Sequence, residues 1–231
     1  MDFRSINTRN RIFRGFIKVL EEKRFSECTT SDILNYAEIS KKTFYNYYKN
    51  KQELLEDLEN ELLVGLWKAL ETDRAELQKI EINNSTQKIR IAAKSAFNST
   101  LDYCDLHREE LVSLLSSNGD ISFHNEIVRI ANKEFDLRCP HLFNIDPKTC
   151  TGPELSTYAV FKIIYVDAIK NALILWLTHY DDMTLTDIKS LTALVQTSSP
   201  VELTKILSQK QNWNNFVESK HHMPNLHLQT I

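Results

Sequence analysis

Residues 41–51 bring together side chains that can hydrogen-bond to nucleic acid. Lys41 and Lys42 can donate to guanine or phosphate oxygens, and Asn46 can pair with adenine. The methyl group of Thr43 can contact the methyl group of thymine, and lysine and tyrosine side chains also bind phosphates. This combination indicates binding to double-stranded DNA, provided that one helix presents these side chains on one side.

Residues 41–48 are predicted to form that helix. Ser40 is a suitable N-cap, and Phe44 and Tyr48 recur four residues apart, so they share one face and can pack on a small core. The opposite face then carries the polar residues of the segment. These are Lys41, Lys42, Tyr45 and Asn46 on the outward face and Thr43 and Tyr47 at its flanks.

Two predicted helices precede this one. Residues 5–24 have an amphipathic pattern, and a hydroxyl cap at Thr29 or Thr30 starts a short helix that ends near residue 37. Two short helices joined by a tight turn, after an amphipathic helix, predict a helix-turn-helix unit.

Helix N-termini add possible phosphate contacts, because their unpaired backbone N–H groups and the helix dipole favour anions. Thr30 and Ser31 lie at the start of the second helix and Lys51 at the start of a fourth. The complete set of predicted DNA-contacting residues is Thr30, Ser31, Lys41, Lys42, Thr43, Tyr45, Asn46, Tyr47 and Lys51.

The charge distribution agrees with this interpretation. Residues 1–51 contain eleven Lys and Arg against six Asp and Glu, whereas residues 52–231 contain seventeen against twenty-five, within a net charge of −3. A basic unit joined to a larger acidic one suits a protein in which one end binds a polyanion. Chance clustering of solvated basic residues is the alternative explanation.

A signature in the first 55 residues resembles the tetracycline-repressor (TetR/AcrR) family. It consists of Thr29-Thr30-Ser31-Asp32-Ile33 and of the run from Ala37 to Leu54, AEISKKTFYNYYKNKQEL. The family usually has Gly where this chain has Glu38, a small residue where it has Lys42, and Leu where it has Phe44.

The resemblance implies an all-α fold, with an N-terminal three-helix helix-turn-helix domain joined by a long fourth helix to a C-terminal helical domain for ligand binding and dimerisation. We assign residues 1–50 and 51–210 to these domains and leave the structure of the tail, residues 211–231, open. The implied function is that of a dimeric, sequence-specific transcription regulator, mostly a repressor that a small molecule releases from a palindromic operator. An alternative is a DNA-binding dimer controlled by a protein partner through the 139–153 loop or the tail.

The C-terminal part supplies candidates for both roles. Residues 155–180 are apolar on more than one side, which favours a partner subunit as their cover, the alternative being a central core helix of a monomer. The resemblance places the dimer interface on the last two long helices, which implies a homodimer through residues 154–210. Four aromatic residues could line a cavity for the unknown effector. They are Phe97, Tyr103, Phe123 and Tyr165.

Other function classes lack the residues that they need. The four glycines stand far apart, which excludes the Gly-rich phosphate loops of Rossmann and P-loop enzymes. His107, His124, His141 and His179 lack a paired metal-ligand spacing and the four cysteines are scattered, so we expect no enzyme activity, no cofactor, no metal and free thiols. The alternative is a transition-metal site formed by the histidines of the tail, His221, His222 and His227. The longest apolar run, residues 172–177, is too short for a membrane span, and the absence of an export signal predicts a cytoplasmic protein.

Overall fold

The computed structural model describes residues 3–82, 86–179 and 183–208. Within these ranges the chain forms eleven α-helices and contains no strand, so the predicted all-α fold is confirmed. The helices are α1 (Phe3–Glu22), α2 (Thr30–Ala37), α3 (Lys41–Tyr45), α4 (Lys51–Gln78), α5 (Thr86–Ser95), α6 (Asn98–Leu106), α7 (Arg108–Leu115), α8 (Ile121–Phe143), α9 (Gly152–His179), α10 (Leu185–Thr197) and α11 (Pro200–Ser208).

These helices are divided between two compact units. Within the described residues, the first unit is drawn from Met1–Glu71 and Tyr103–Lys133, and the second from Thr72–Asp102 and Glu134–Ile231. The dividing points fall inside α4, α6 and α8. The predicted boundary at residue 50 separates DNA binding from ligand binding and dimerisation, whereas these units are defined by compactness, so that boundary stays a prediction. The predicted tail, residues 211–231, lies outside the described residues.

The first unit buries the apolar faces of α1, α2 and α3 on the leucines that begin α4. Ile12, Ile33 and Phe44 have no exposed surface, and neither do Leu54 and Leu55 of α4. Burying a side chain of this size contributes about 1.5–3 kcal/mol, so short helices such as α2 and α3 depend on these contacts for their stability. The core therefore fixes which side of α3 points outward.

The third helix is shorter than its sequence pattern predicts. The pattern indicated residues 41–48, whereas α3 ends at Tyr45 and is followed by a turn. The N–H groups of Tyr47 and Tyr48 still bond to the carbonyl of Phe44, which keeps Tyr48 on the core side of the segment. Tyr48 is 5% exposed, so the predicted packing of Phe44 and Tyr48 holds although the regular helix stops earlier.

In the second unit, a buried carboxylate, that of Asp73, separates α5 from α6. The sequence pattern over residues 86–104 predicts a single helix, but α5 ends at Ser95 and α6 begins at Asn98. The buried carboxylate of Asp73, on α4, accepts bonds from the N–H groups of Ser99 and Thr100 at 2.8 and 2.9 Å. This carboxylate satisfies the first N–H groups of α6 from outside the helix, which no local pattern reveals.

The helix α8 continues through a segment that the sequence indicated as a loop. Residues 139–153 were predicted to be irregular because of their prolines, but α8 includes Pro140 and ends at Phe143. The buried side chains of Cys139 and Leu142 lie on this last turn, and Leu142 packs with Leu77 and Ala92. Tertiary packing thus compensates for the backbone bond that a proline removes.

The long helix α9 has a buried face and an exposed apolar face. Val166, Ile169 and Trp176 are at most 6% exposed. On other sides of the helix, large apolar side chains remain exposed in the chain, namely Leu155, Val160, Phe161, Ile163, Ile164 and Leu175. No helix among the described residues is both long and apolar enough to cross a bilayer.

Candidate nucleic-acid interface

The N-terminus of α2 is capped by Thr29 and leaves the next two hydroxyls available. The Thr29 hydroxyl accepts a bond from the N–H of Asp32, and the Asp32 carboxylate accepts bonds from the Thr29 hydroxyl and N–H, at 2.7 and 2.8 Å. These bonds and the nearby Lys23 lower the pKa of Asp32 to about 2. Among the described residues, Thr30 and Ser31 have no partner for their hydroxyl groups, which can therefore bind phosphate.

The outward face of α3 consists of four exposed side chains, Lys41, Lys42, Tyr45 and Asn46. None of the four forms a side-chain hydrogen bond or ion pair with another described residue. The Tyr45 ring stands edge-on against buried Phe44, with centroids 5.5 Å apart, and remains 48% exposed. Packing thus orients the Tyr45 ring and leaves about half of the side chain accessible for contact with DNA.

The two flanking residues use their hydroxyls within the protein. Thr43 Oγ1 lies 2.8 Å from Ser40 Oγ, and Ser40 caps α3 by accepting a bond from the Thr43 N–H. The Tyr47 hydroxyl donates to Ser5 Oγ at 3.3 Å, which ties the end of the α3 segment to α1. For Thr43 the methyl group is the part left to contact a base.

Lys51 occupies a different environment from the one expected of a phosphate ligand. Its Nζ donates to the carbonyls of Phe25, Ser26 and Cys28 at 2.8, 3.3 and 2.6 Å, and lies 4.7 Å from the centroid of the Phe25 ring. The ammonium group thereby holds the loop before α2 onto the start of α4. The phosphate contact of Lys51 stays a prediction, and these bonds provide no support for it.

A polar network that the sequence analysis did not predict joins α1, the segment after α3, and α4. The Tyr48 hydroxyl and the Arg9 guanidinium both donate to Asp57 Oδ2, at 2.7 Å and at 2.9–3.0 Å, and Arg9 also pairs with Glu61. Burial and the bond to Asp57 raise the pKa of the Tyr48 hydroxyl. The available signal was the spacing of Asp57 and Glu61, four residues apart on α4, where both can face one cation.

The turn between α2 and α3 has a left-handed residue at Glu38, with φ 50° and ψ 48°. Arg11 reaches this turn from α1 and donates to the carbonyls of Ala37 and Glu38 at 2.9 and 2.8 Å. Its guanidinium also lies 3.7 Å from the exposed Glu38 carboxylate. The turn is therefore held through its main chain, at a residue where an L side chain is unfavourable.

Glu38→Gly should stabilise the chain by up to about 1 kcal/mol. Glycine adopts the left-handed conformation without steric cost, and the loss of an exposed ion pair at 3.7 Å costs little. The bonds from Arg11 end on carbonyl oxygens and survive the change. Urea unfolding of the whole chain, followed by circular dichroism, measures the difference.

The matched control is Glu38→Ala, which removes the same carboxylate but keeps the left-handed strain. We expect no gain in stability for this variant. Equal stability of the glycine and alanine variants would show that backbone strain at this turn is negligible.

The four aromatic residues predicted to line one cavity are divided between the two units. Tyr103 and Phe123 belong to the first unit, where the Tyr103 hydroxyl donates to the carbonyl of Leu62 and Phe123 is 1% exposed. Phe97 and Tyr165 belong to the second unit, where Phe97 lies under the Arg138 guanidinium. The Tyr165 hydroxyl donates to Gln196, and burial raises its pKa. The ligand role of all four stays a prediction.

Among the described residues, no cluster of three or more His, Cys, Asp or Glu side chains is suited to hold a metal ion.

Comparisons with known proteins converge on this part of the chain. Residues 12–58 match the family described as bacterial regulatory proteins, tetR family. A 59-residue segment is 39% identical to the uncharacterized HTH-type transcriptional regulator YxbF of Bacillus subtilis, covering 25% of this chain and 16% of that protein. A 52-residue segment is 36% identical to DhaS of Lactococcus lactis, named as the HTH-type dhaKLM operon transcriptional activator, covering 22% of this chain and 28% of that protein.

The chain thus spans less than a third of either curated relative in these matches. The fold similarity extends further: a TetR transcriptional regulator from Streptococcus agalactiae superposes with a TM-score of 0.51 at 19% identity, over 84% of this chain and 95% of that one. The matched segment includes α2, α3 and the Arg11-clamped turn. The N-terminal segment is thus similar in sequence to the tetR family of bacterial regulatory proteins, and the all-helical fold resembles that of a solved TetR regulator.

Proposed function

We propose that the chain is a sequence-specific DNA-binding transcription regulator of the cytoplasm and that α3 enters the major groove. The observation that carries this proposal is the exposed face of Lys41, Lys42, Tyr45 and Asn46, held outward because Phe44 is fully buried. A major groove about 12 Å wide admits a helix, and lysine and asparagine read the edges of guanine and adenine. The hydroxyls of Thr30 and Ser31, at the start of α2, supply phosphate contacts that set the register.

Dimerisation through residues 154–210 is part of the proposal. Its support is the exposed apolar face of α9, where Ile163 and Ile164 are 58% and 62% exposed in the chain. Large apolar side chains exposed together on one helix favour an interface, and a two-fold partner would cover them with the same residues. Two recognition helices about 34–36 Å apart would then read a palindromic operator.

Control by a small molecule completes the proposal. Its support is a cleft of about 400 Å³ in the second unit, a size within the range of small-molecule sites. We propose that the DNA-bound chain represses transcription and that ligand binding lowers its affinity for DNA. Because one relative is named an activator, a reporter gene behind the selected operator should be assayed with and without the chain.

The proposal is tested by selecting bound fragments from random double-stranded DNA with the whole purified chain. We expect enrichment of palindromes whose half-site centres are about one helical turn apart. Recovery of fragments without a common sequence would contradict sequence-specific binding.

The matched variant is Ile163→Asp/Ile164→Asp, which places charges on the exposed face of α9 without touching the core. We expect it to sediment as a monomer and to lose the preference for two half-sites over one. A variant that remains dimeric would contradict the proposed interface, while leaving DNA recognition by α3 intact.

A further inference from the structure

The cleft in the second unit has a composition that indicates what it binds. It lies between α5, α10 and α11, has a volume of about 400 Å³ and is formed by residues of the second unit alone. Its apolar floor includes Ala193 and Leu194, which are 7% and 4% exposed. Its rim carries three cationic side chains, Arg90, Lys94 and Lys205.

The single acidic residue of the rim is already engaged in capping. Glu202 Oε2 accepts a bond from the Ser199 N–H at 2.7 Å, while the Glu202 N–H donates to Ser199 Oγ at 3.2 Å, the capping box that begins α11. These bonds and the positive charges of Arg90 and Lys205 lower the pKa of Glu202. The carboxylate is therefore held at the helix start and offsets only part of the rim's positive charge.

The two cations of α5 outnumber the one carboxylate of the rim. Within the part of the chain that the structure describes, neither Arg90 nor Lys94 forms an ion pair, although both line the cleft. Counting only the cations of α5, the rim has two positive charges against the one negative charge of Glu202. An anion placed there gains from two or more cations at once, and the apolar floor favours a ligand that also has a hydrocarbon part.

We propose that this cleft binds a small amphipathic anion, a carboxylate with a short apolar chain. At about 30 Å³ for each water-sized group, 400 Å³ accommodates roughly a dozen non-hydrogen atoms. The carboxylate of the ligand lies between Arg90 and Lys94, and its hydrocarbon chain lies on Ala193 and Leu194. Binding is a property of the second unit alone, whereas an effect of binding on DNA affinity rests on the proposed function.

The test is calorimetric titration of the whole chain, without DNA, with octanoate, octanol and octylammonium. These probes share their hydrocarbon chain and differ in charge. We expect octanoate to bind at least tenfold more tightly than the other two, and its affinity to fall as salt is raised. Lys94→Glu should weaken octanoate binding about tenfold, because it replaces an attraction by a repulsion.

The matched control is Lys88→Glu, which makes the same charge change on the same helix but outside the cleft; it should leave octanoate binding within about twofold of the unmodified chain. Equal affinity for octanoate and octanol, equal losses in the two variants, or no binding of octanoate would each overturn the proposal. Because the titration contains no DNA, these outcomes do not bear on DNA recognition, and a chain that binds octanoate but selects no DNA would contradict the proposed function alone.

Discussion

Lys41→Glu/Lys42→Glu should weaken binding of the whole chain to its selected operator by about a thousandfold at about 100 mM salt. Each lysine contributes on the order of 1 kcal/mol through phosphate or guanine contacts, and a dimer carries four of them, which amounts to about 4 kcal/mol. Both side chains are exposed, so thermal unfolding should be unchanged. Fluorescence anisotropy with the labelled operator, repeated over a range of salt, measures the loss and the reduced salt dependence.

Lys79→Glu/Arg129→Glu is the matched control. It produces the same change in net charge at side chains that are 68% and 64% exposed and lie outside residues 1–51. We expect at most a few-fold loss of affinity, because neither side chain belongs to the predicted DNA-contacting set and salt screens exposed charges that make no direct contact with DNA. Equal losses in the two double variants would mean that overall charge, rather than α3, determines binding.

Gly15→Ala should destabilise the chain by about 1–3 kcal/mol and reduce DNA binding with it. A Cβ atom at Gly15 would lie 2.6 Å from the backbone nitrogen and 2.9 Å from the Cα of Ala37, the last residue of α2. Backbone atoms of a packed helix cannot move aside singly, so α2 must shift from α1 and disturb the turn that leads into α3. Urea unfolding and operator binding measure the two effects.

The sign of this effect separates packing from helix propensity. Propensity alone predicts that alanine within α1 stabilises the chain by about 0.5–1 kcal/mol. Gly15→Ala/Ala37→Gly then tests which atoms clash: it removes the side-chain contact at 2.8 Å but leaves the two backbone contacts, so we expect little recovery. Full recovery would show that only the two methyl groups collide.

Local patterns predicted those elements whose boundaries are set by nearby residues. The Thr29 cap of α2 and the Ser40 cap of α3 both follow from side chains within three residues of the helix start. The split between α5 and α6 could not be predicted in this way. It depends on Asp73, which approaches from 26 residues away in sequence.

The candidate interface also has features that nearby residues determine and features that long-range packing determines. Periodicity correctly placed Phe44 inside and Lys41 outside, because one buried residue orients a short helix. The partners of Lys51 and Arg9 depend on how α1 and the following loop pack on α4, so sequence spacing alone did not reveal them. Residue type thus indicated which side chains could contact DNA, while packing decided which of them are used within the protein.

The clamp at the α2–α3 turn also bears on which positions tolerate substitution. Arg11 bonds to main-chain oxygens at positions 37 and 38, and every amino acid supplies such an oxygen. The side chain at position 38 can therefore change while α3 stays in place. The only cost is the unfavourable left-handed backbone conformation that a non-glycine residue adopts there. Position 11 has no such freedom: shortening that side chain would release the turn whatever residue occupies it, so a mutational scan of this segment should be far less permissive there than at the turn itself.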